Sequence, residues 1–264
     1  MAITLSYDDS LARVKIEYST TTTHESARVM RTDNPAGIGY QTIRGGAEIP
    51  AGVGVAYDYE FLPSQVNYYR VEYLDAAGGV VLQEVANITP ELDAVWLKSV
   101  AHPYLNRKLW LVDVSEISSP MRGGVFDVVG RSYPVAVSDI RSSRQFSITV
   151  ATDTRAEAED FLLCLSVGGP ALLHVPPDCP LPVDTMYVQV GNVTQEQPSR
   201  YSEVRIFDLD LVEIAPPGPD LVGSTITWSG VVNEFATWNA VVSSVATWND
   251  LLSIVGKPGD VIVE

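Results

Sequence analysis

Three histidines, two cysteines and two close pairs of carboxylates are the residues of this 264-residue chain whose types and spacing could do chemistry. Metal-assisted hydrolysis needs clustered ligands, yet His24, His102 and His174 stand far apart, in neither HExxH nor any comparable spacing. They read as isolated polar or packed residues. No GxSxG elbow is present, and Cys164 in LLCLS and Cys179 in PDCP occupy no catalytic frame, so a triad would have to be assembled from distant residues. The two cysteines could pair only if geometry allowed it, and cytosolic thiols stay reduced. Asp58/Glu60 and Asp208/Asp210 are spaced to share one face of a strand, where they could hold Ca²⁺ or flank a glycosidic bond. With 33 acidic residues in the chain such pairs arise by chance, and solvated surface is the reading adopted. Gly45-Gly46 and Gly123-Gly124 follow arginines but lead into no GxxxxGK, so they read as turns. No catalytic, cofactor or metal residue is assigned, and the chain is expected not to be an enzyme.

The residues that do form a pattern are apolar. TWSGVVNEFA from Thr227, TWNAVVSSVA from Thr237 and TWNDLLSIVG from Thr247 are three copies of one decapeptide. In each, a tryptophan is followed by apolar residues at +3, +4 and +7: Trp228, Val231, Val232, Phe235; Trp238, Val241, Val242, Val245; Trp248, Leu251, Leu252, Val255. That spacing is one face of a two-turn helix, with each threonine placed as the N-cap. Ten residues at 100° each displace successive tryptophans by about 80°, which predicts short capped turns in series instead of one helix. Helices so short need a surface to lie on. The twelve residues are therefore expected to dock on another chain or on another domain of this one, although exposed aromatics can also stack on sugar rings. Four arginines, Arg131, Arg141, Arg144 and Arg155, fall close together in an otherwise acidic chain. They read as exposed loop charges or as an inter-subunit face that meets an acidic face of a neighbouring copy.

The formal net charge is −16, which disfavours nucleic acid or any other polyanion as a partner. A content of 46% hydrophobic and 19% charged residues describes a folded chain. No window approaches 18 uninterrupted apolar residues and no basic stretch precedes an apolar run, so neither membrane insertion nor a signal peptide is expected, and synthesis in the cytoplasm is.

These residues must be positioned by β-structure. From Ala12 to about Thr89 the chain alternates, as in RVKIEYS and YYRVEYLD, and AAGG joins the latter to VVLQEV as a hairpin over 69–86. Residues 1–92 are thus expected to form an all-β unit. Strands are also expected at Val95–Val100, Leu109–Val114, Val125–Val129, Val135–Val137, Phe146–Val150, Ala171–Val175, Met186–Val190 and Tyr201–Ile214. Between them one helix is expected at 155–166: Thr154 and Glu157 form a capping box, Ala158, Phe161, Leu162 and Leu165 form one face, and Gly168-Gly169 is the stop. This second unit spans 93–215. Residues 216–264 comprise a Pro-rich linker, APPGPDLVG, and the repeat tail.

Tyr57-Asp58-Tyr59-Glu60, Leu62-Pro63, Tyr69-Arg70-Val71-Glu72-Tyr73 and the following hairpin resemble the E–F corner and F–G hairpin of a fibronectin type III or related immunoglobulin-like sandwich. The resemblance implies that Tyr69 is the corner tyrosine, its ring in the core and its hydroxyl bonded to upstream backbone. GVFDVVGRSYPVAVSDIRSSRQFSITVATDTRAEAEDFLLCL and YVQVGNVTQEQ resemble minor tail proteins of long-tailed phages that infect actinobacteria. The layout of residues 95–215 is similar to the N-terminal domain of distal tail proteins, which share the tail-tube fold, a β-sandwich with one flanking helix. The resemblance implies a structural subunit of the virion tail or tail tip that joins other tail proteins, as a trimer or hexamer, with host-surface glycan as a further partner. A carbohydrate-binding adhesion module is the alternative.

Overall fold

The computed structural model describes residues 2–218, except Glu48, Ala51, Gly52, Val128 and Arg131, together with Thr237, Trp238 and Ala240. Its described residues are mainly β-strand, with one α-helix.

The first unit holds two sheets. One consists of β1 (Ala2–Asp8), β2 (Arg13–Ser19) and β6 (Val53–Asp58) in the order β1-β2-β6. The other consists of β3 (Ser26–Thr32), β4 (Gln41–Thr42), β7 (Asn67–Leu74) and β8 (Val80–Ile88) in the order β4-β3-β7-β8, with β5 (Ile49–Pro50) also on β3. Alternation explains the arrangement: Val14, Ile16 and Tyr18 of β2 and Tyr69, Val71 and Tyr73 of β7 point into one shared core. The reading that began at Ala12 leaves out β1, whose Ile3, Leu5 and Tyr7 pack on that core. The 69–86 hairpin is present, slightly longer, closed where Asp75 N donates to Gly79 O at 2.9 Å.

The second unit closes on itself. Strands β9 (Val95–Ser99), β10 (Arg107–Val114), β13 (Gln145–Thr152), β14 (Ala171–His174), β15 (Met186–Glu196) and β16 (Arg205–Glu213) form a barrel in the order β10-β13-β16-β15-β14-β9. Hydrogen bonds thus join all six strands into one closed sheet where two stacked sheets were expected, which removes every free edge. The two strands between β10 and β13, β11 (Gly123–Phe126) and β12 (Val135–Ser138), pair only with each other.

Helix α1 spans Arg155–Ser166, the range the sequence predicts, and both halves of its capping box form: Glu157 N donates to Thr154 Oγ1 (3.2 Å) and Thr154 N to Glu157 Oε2 (3.4 Å). Gly168 ends it at φ +66°, a backbone that a residue with a Cβ rarely adopts. Ala158 and Phe161 face the barrel core, Phe161 meeting Phe207 edge-on at 5.2 Å, while Leu165 packs partly buried at its margin. Leu162 is a correction: it is 39% exposed. Cys164 takes its place, buried against Tyr104 and Leu105, because the helix seats on the 3₁₀ turn Pro103–Leu105 as well as on the barrel.

Candidate functional site

Two features stand out, a buried junction between the units and a ribbon that leaves the barrel. The junction is built on β9. All five residues of VWLKS are buried, because one face of the strand belongs to each unit. Val95 and Leu97 enter the barrel core, whereas Trp96 joins the core of the first unit. Lys98 follows Trp96 across, donating to Ala12 O at 2.5 Å and Tyr59 O at 2.8 Å, with Phe61's ring centroid 4.7 Å away. Burial pushes its pKa down to about 7, against the opposing pull of Asp58 and Glu60. Beside it on β14, His174 is fully buried, edge-on to Phe61 at 4.8 Å. Burial, and then the charges of Lys98 and Arg31, hold its imidazole well below the usual histidine range. A cavity of about 150 Å³ remains, lined by Tyr57, Asp58, Glu60, Lys98 and Leu172 among others.

Around this junction the carboxylates are ion-paired. Asp58 is a correction to the solvated-surface reading, for it is 3% exposed, bonded to Arg31 (2.6 Å), and accepts the Tyr69 hydroxyl (2.8 Å). Tyr69 lies in the core as the corner resemblance implies, but its hydroxyl binds this side chain and not backbone. The backbone lock is made by Asn67, fully buried: its Nδ2 donates to Leu62 O and Gln65 O, and its Oδ1 accepts from Leu62 N. Glu60 pairs with Arg44, whose guanidinium also donates to Gly218 O (2.6 Å) and Pro217 O (3.3 Å), so the start of the Pro-rich segment is tied to the first unit. Asp208 and Asp210 are exposed on the outer wall of β16, accepting from Thr149 (2.6 Å) and Ser147 (2.8 Å). Among the described residues no three His, Cys, Asp or Glu side chains are grouped to hold a metal ion, and no helix is long and apolar enough to cross a membrane. Cys164 and Cys179 are both free thiols, and burial pushes that of Cys164 up to about 11.

The ribbon prolongs the β10–β13 ladder past the barrel's end. Ser118 and Gln145 bridge, Ser142 N reaches Pro120 O, and Asp139 N reaches Arg122 O, before Gly123↔Ser138 opens the paired strands. Ten residues from Ser118 to Asp127 make an arm about 30 Å long. Among the described residues, eight of the nineteen exposed large hydrophobic ones lie between Met121 and Ile140, which marks this segment out from the rest of the described surface. Met121, Val125, Phe126, Tyr133, Val137 and Ile140 are each more than half exposed. On one face Phe126 lies over Gly124, where a Cβ would stand 2.9 Å from its Cζ, next to Val135 and Val137.

The predicted site residues are scattered in this frame. Arg144 forks onto Glu213 (2.9 and 3.0 Å) and Arg155 pairs with Glu159 (2.7 Å), so both charges are matched within the chain. Arg141 donates to Ser119 O at the base of the arm, and Arg131 lies outside the described residues. Of the docking residues only Trp238 is described. It is 52% exposed, and Thr237 caps the turn as expected, its Oγ1 accepting from Ala240 N at 3.3 Å. Trp228, Val231, Val232, Phe235, Val241, Val242, Val245, Trp248, Leu251, Leu252 and Val255 lie outside the described residues. Sequence reasoning missed Lys98, Trp96, Asn67 and the arm. The signals were there: a strand apolar on both faces with one lysine, and a Val/Phe/Tyr/Ile-rich stretch on either side of the turn at Gly130. Gly123-Gly124, expected as a turn, instead opens strand β11.

No family model matches this sequence, and no curated protein gives a significant match to it.

Proposed function

We propose that this chain is a non-catalytic structural subunit of a phage tail, a connector or surface-decorating protein of the tail or tail tip that works as a homo-oligomer, a trimer or hexamer. The observation that carries this reading is the arm. An isolated two-stranded ribbon is marginal in water, and one with apolar side chains on its faces calls for protein to cover it. The buried junction supports the same reading, since a lysine bonded to two carbonyls and a tryptophan of a barrel strand packed in the first unit's core join the two units into one spacer. The sequence resemblance over 95–215 supplies the tail. For the first unit, a fibronectin type III-like fold is favoured by three strands in the order β1-β2-β6 facing four in the order β4-β3-β7-β8, with Tyr69 in the core near the start of β7.

Electron microscopy of the virion that encodes this chain, labelled with antibody to the barrel, tests the proposal. Label on the tail or its tip is expected. An unlabelled particle, together with a monomeric chain that binds a glycan array, would replace this reading with that of an adhesion module.

A further inference from the structure

We infer that the cavity at the junction of the two units takes a small uncharged aldehyde or ketone with an apolar body, and that Lys98 holds it as an imine. This is a ligand site beyond the assembly role, and it does not rest on that role.

Lys98 is 2% exposed and lines the cavity of about 150 Å³. A void of that size takes about one benzene-sized molecule. Its walls are mostly apolar, with Ala56 and Tyr57 from the first unit and Val100, Pro103 and Leu172 from the second, and the seam between two units is where small ligands most often lodge. Its outer end is marked by Gly45, which is exposed, and by the partly buried Arg44 and Glu60. Two backbone carbonyls fix the nitrogen, Ala12 O at 2.5 Å and Tyr59 O at 2.8 Å. They match the two N–H groups of a neutral amine, so its lone pair is left without a hydrogen bond. The ring of Phe61, 4.7 Å away at its centroid, adds apolar cover beside it. A fixed amine with a free lone pair in an apolar cavity is the nucleophile that condenses with carbonyl compounds. Burial keeps about half of it neutral near pH 7, roughly a thousandfold more than of an ordinary lysine.

Charge sets the class of the ligand. Arg31 closes on Asp58 and Arg44 on Glu60, and both carboxylates line the same cavity as Lys98. They would repel a further anion, and Lys98 and the arginines would repel a cation, so the ligand is neutral. In the reaction the amine lone pair forms the C–N bond and one N–H proton passes to the carbonyl oxygen. A proton from solvent then lets that oxygen leave as water as the C=N bond forms. No oxidant or reductant is consumed. The iminium product carries one positive charge, which Asp58 and Glu60 favour as they favour the charged lysine. It keeps one N–H for Ala12 O, the more deeply buried acceptor, and leaves Tyr59 O to the water released.

The test uses the unmodified full-length chain at about pH 7. It is incubated with butanal or, in parallel, with pyrene-1-carboxaldehyde, each with cyanoborohydride, which reduces an imine to a stable secondary amine; labelled peptides are mapped by mass spectrometry. Lys15, whose pKa is raised by its hydrogen bond to Glu17, and Lys108, ion-paired with Asp93, are the comparison. Butanal is expected to label Lys98 about tenfold faster than either, because so much more of its amine is neutral. The pyrene aldehyde, too large for the cavity, is expected to reverse that order. Butanal labelling of Lys98 no faster than of Lys15 and Lys108 would overturn the inference. Pyrene labelling that also favours Lys98 would overturn it as well, since the amine would then be reacting outside the cavity.

Discussion

Lys98 and His174 show how a residue takes its chemistry from its surroundings. Both are forced toward their neutral forms by burial, and Asp58, Glu60 and Arg31 are the charged groups that face them from the first unit. For Lys98 the folded value of about 7 lies below the ordinary 10.5, so the unfolded chain binds the extra proton between those limits and stability rises with pH across them. Buried tyrosines such as Tyr18 and Tyr69, whose pKa is raised, oppose this only once the unfolded chain loses its phenolic protons near pH 10. Cys164, whose thiol burial pushes up to about 11, opposes it from about pH 8.5 for the same reason. Chemical denaturation from pH 7 to about 8.5 is therefore expected to show rising stability in the native chain and a flatter profile in Lys98→Met. For His174, also depressed, the unfolded state gains the proton below about 6.5, so stability falls as pH drops through 6 and 5. His174→Leu should lose that slope. At the corner, Asn67→Ala leaves two carbonyls and an N–H without their partner and is expected to cost about 3 kcal/mol, against about 1–2 kcal/mol for Tyr69→Phe. Equal losses in urea melts would mean that the lock has been misassigned.

At the scale of elements, α1 carries its specification locally and its orientation from elsewhere. The capping box and the glycine stop depend on residues three or so apart, so the helix and its ends were legible as a pattern. Its buried face was only partly so. Spacing selected Phe161, Leu162 and Leu165, but the helix also rests on the Pro103–Leu105 turn, which rotates Leu162 outward and Cys164 inward. Phe161→Ala is accordingly expected to cost about 3–5 kcal/mol in thermal or urea unfolding, and Leu162→Ala less than about 1 kcal/mol. A large Leu162 effect would show that the helix seats differently. The strands behave alike: β2, β7 and β13 alternate and were read as half-buried, whereas β9 is buried on both faces and its sequence does not say to which core each face belongs.

For the whole molecule, the two units hold each other through β9, and the Pro-rich segment is anchored to the first unit by Arg44. A chain ended at Pro219 is expected to keep the melting temperature of the full chain within a few degrees while it assembles weakly or not at all. Normal assembly of that shortened chain would remove the docking role assigned to Trp228, Trp238 and Trp248. What the sequence by itself determined is the β-rich class, helix α1 with its caps, most strand positions, and the absence of any recognisable catalytic motif, because alternation, capping and motif spacing are written in neighbouring residues. Only tertiary structure decided that six strands close into one barrel, that Trp96 and Lys98 cross into the other unit, that Asp58 is buried, and that the arm between β10 and β13 stands clear of the body. Each of these depends on which distant segments come together, and pairing across a hundred residues is set by the sum of many weak contacts that no local pattern records.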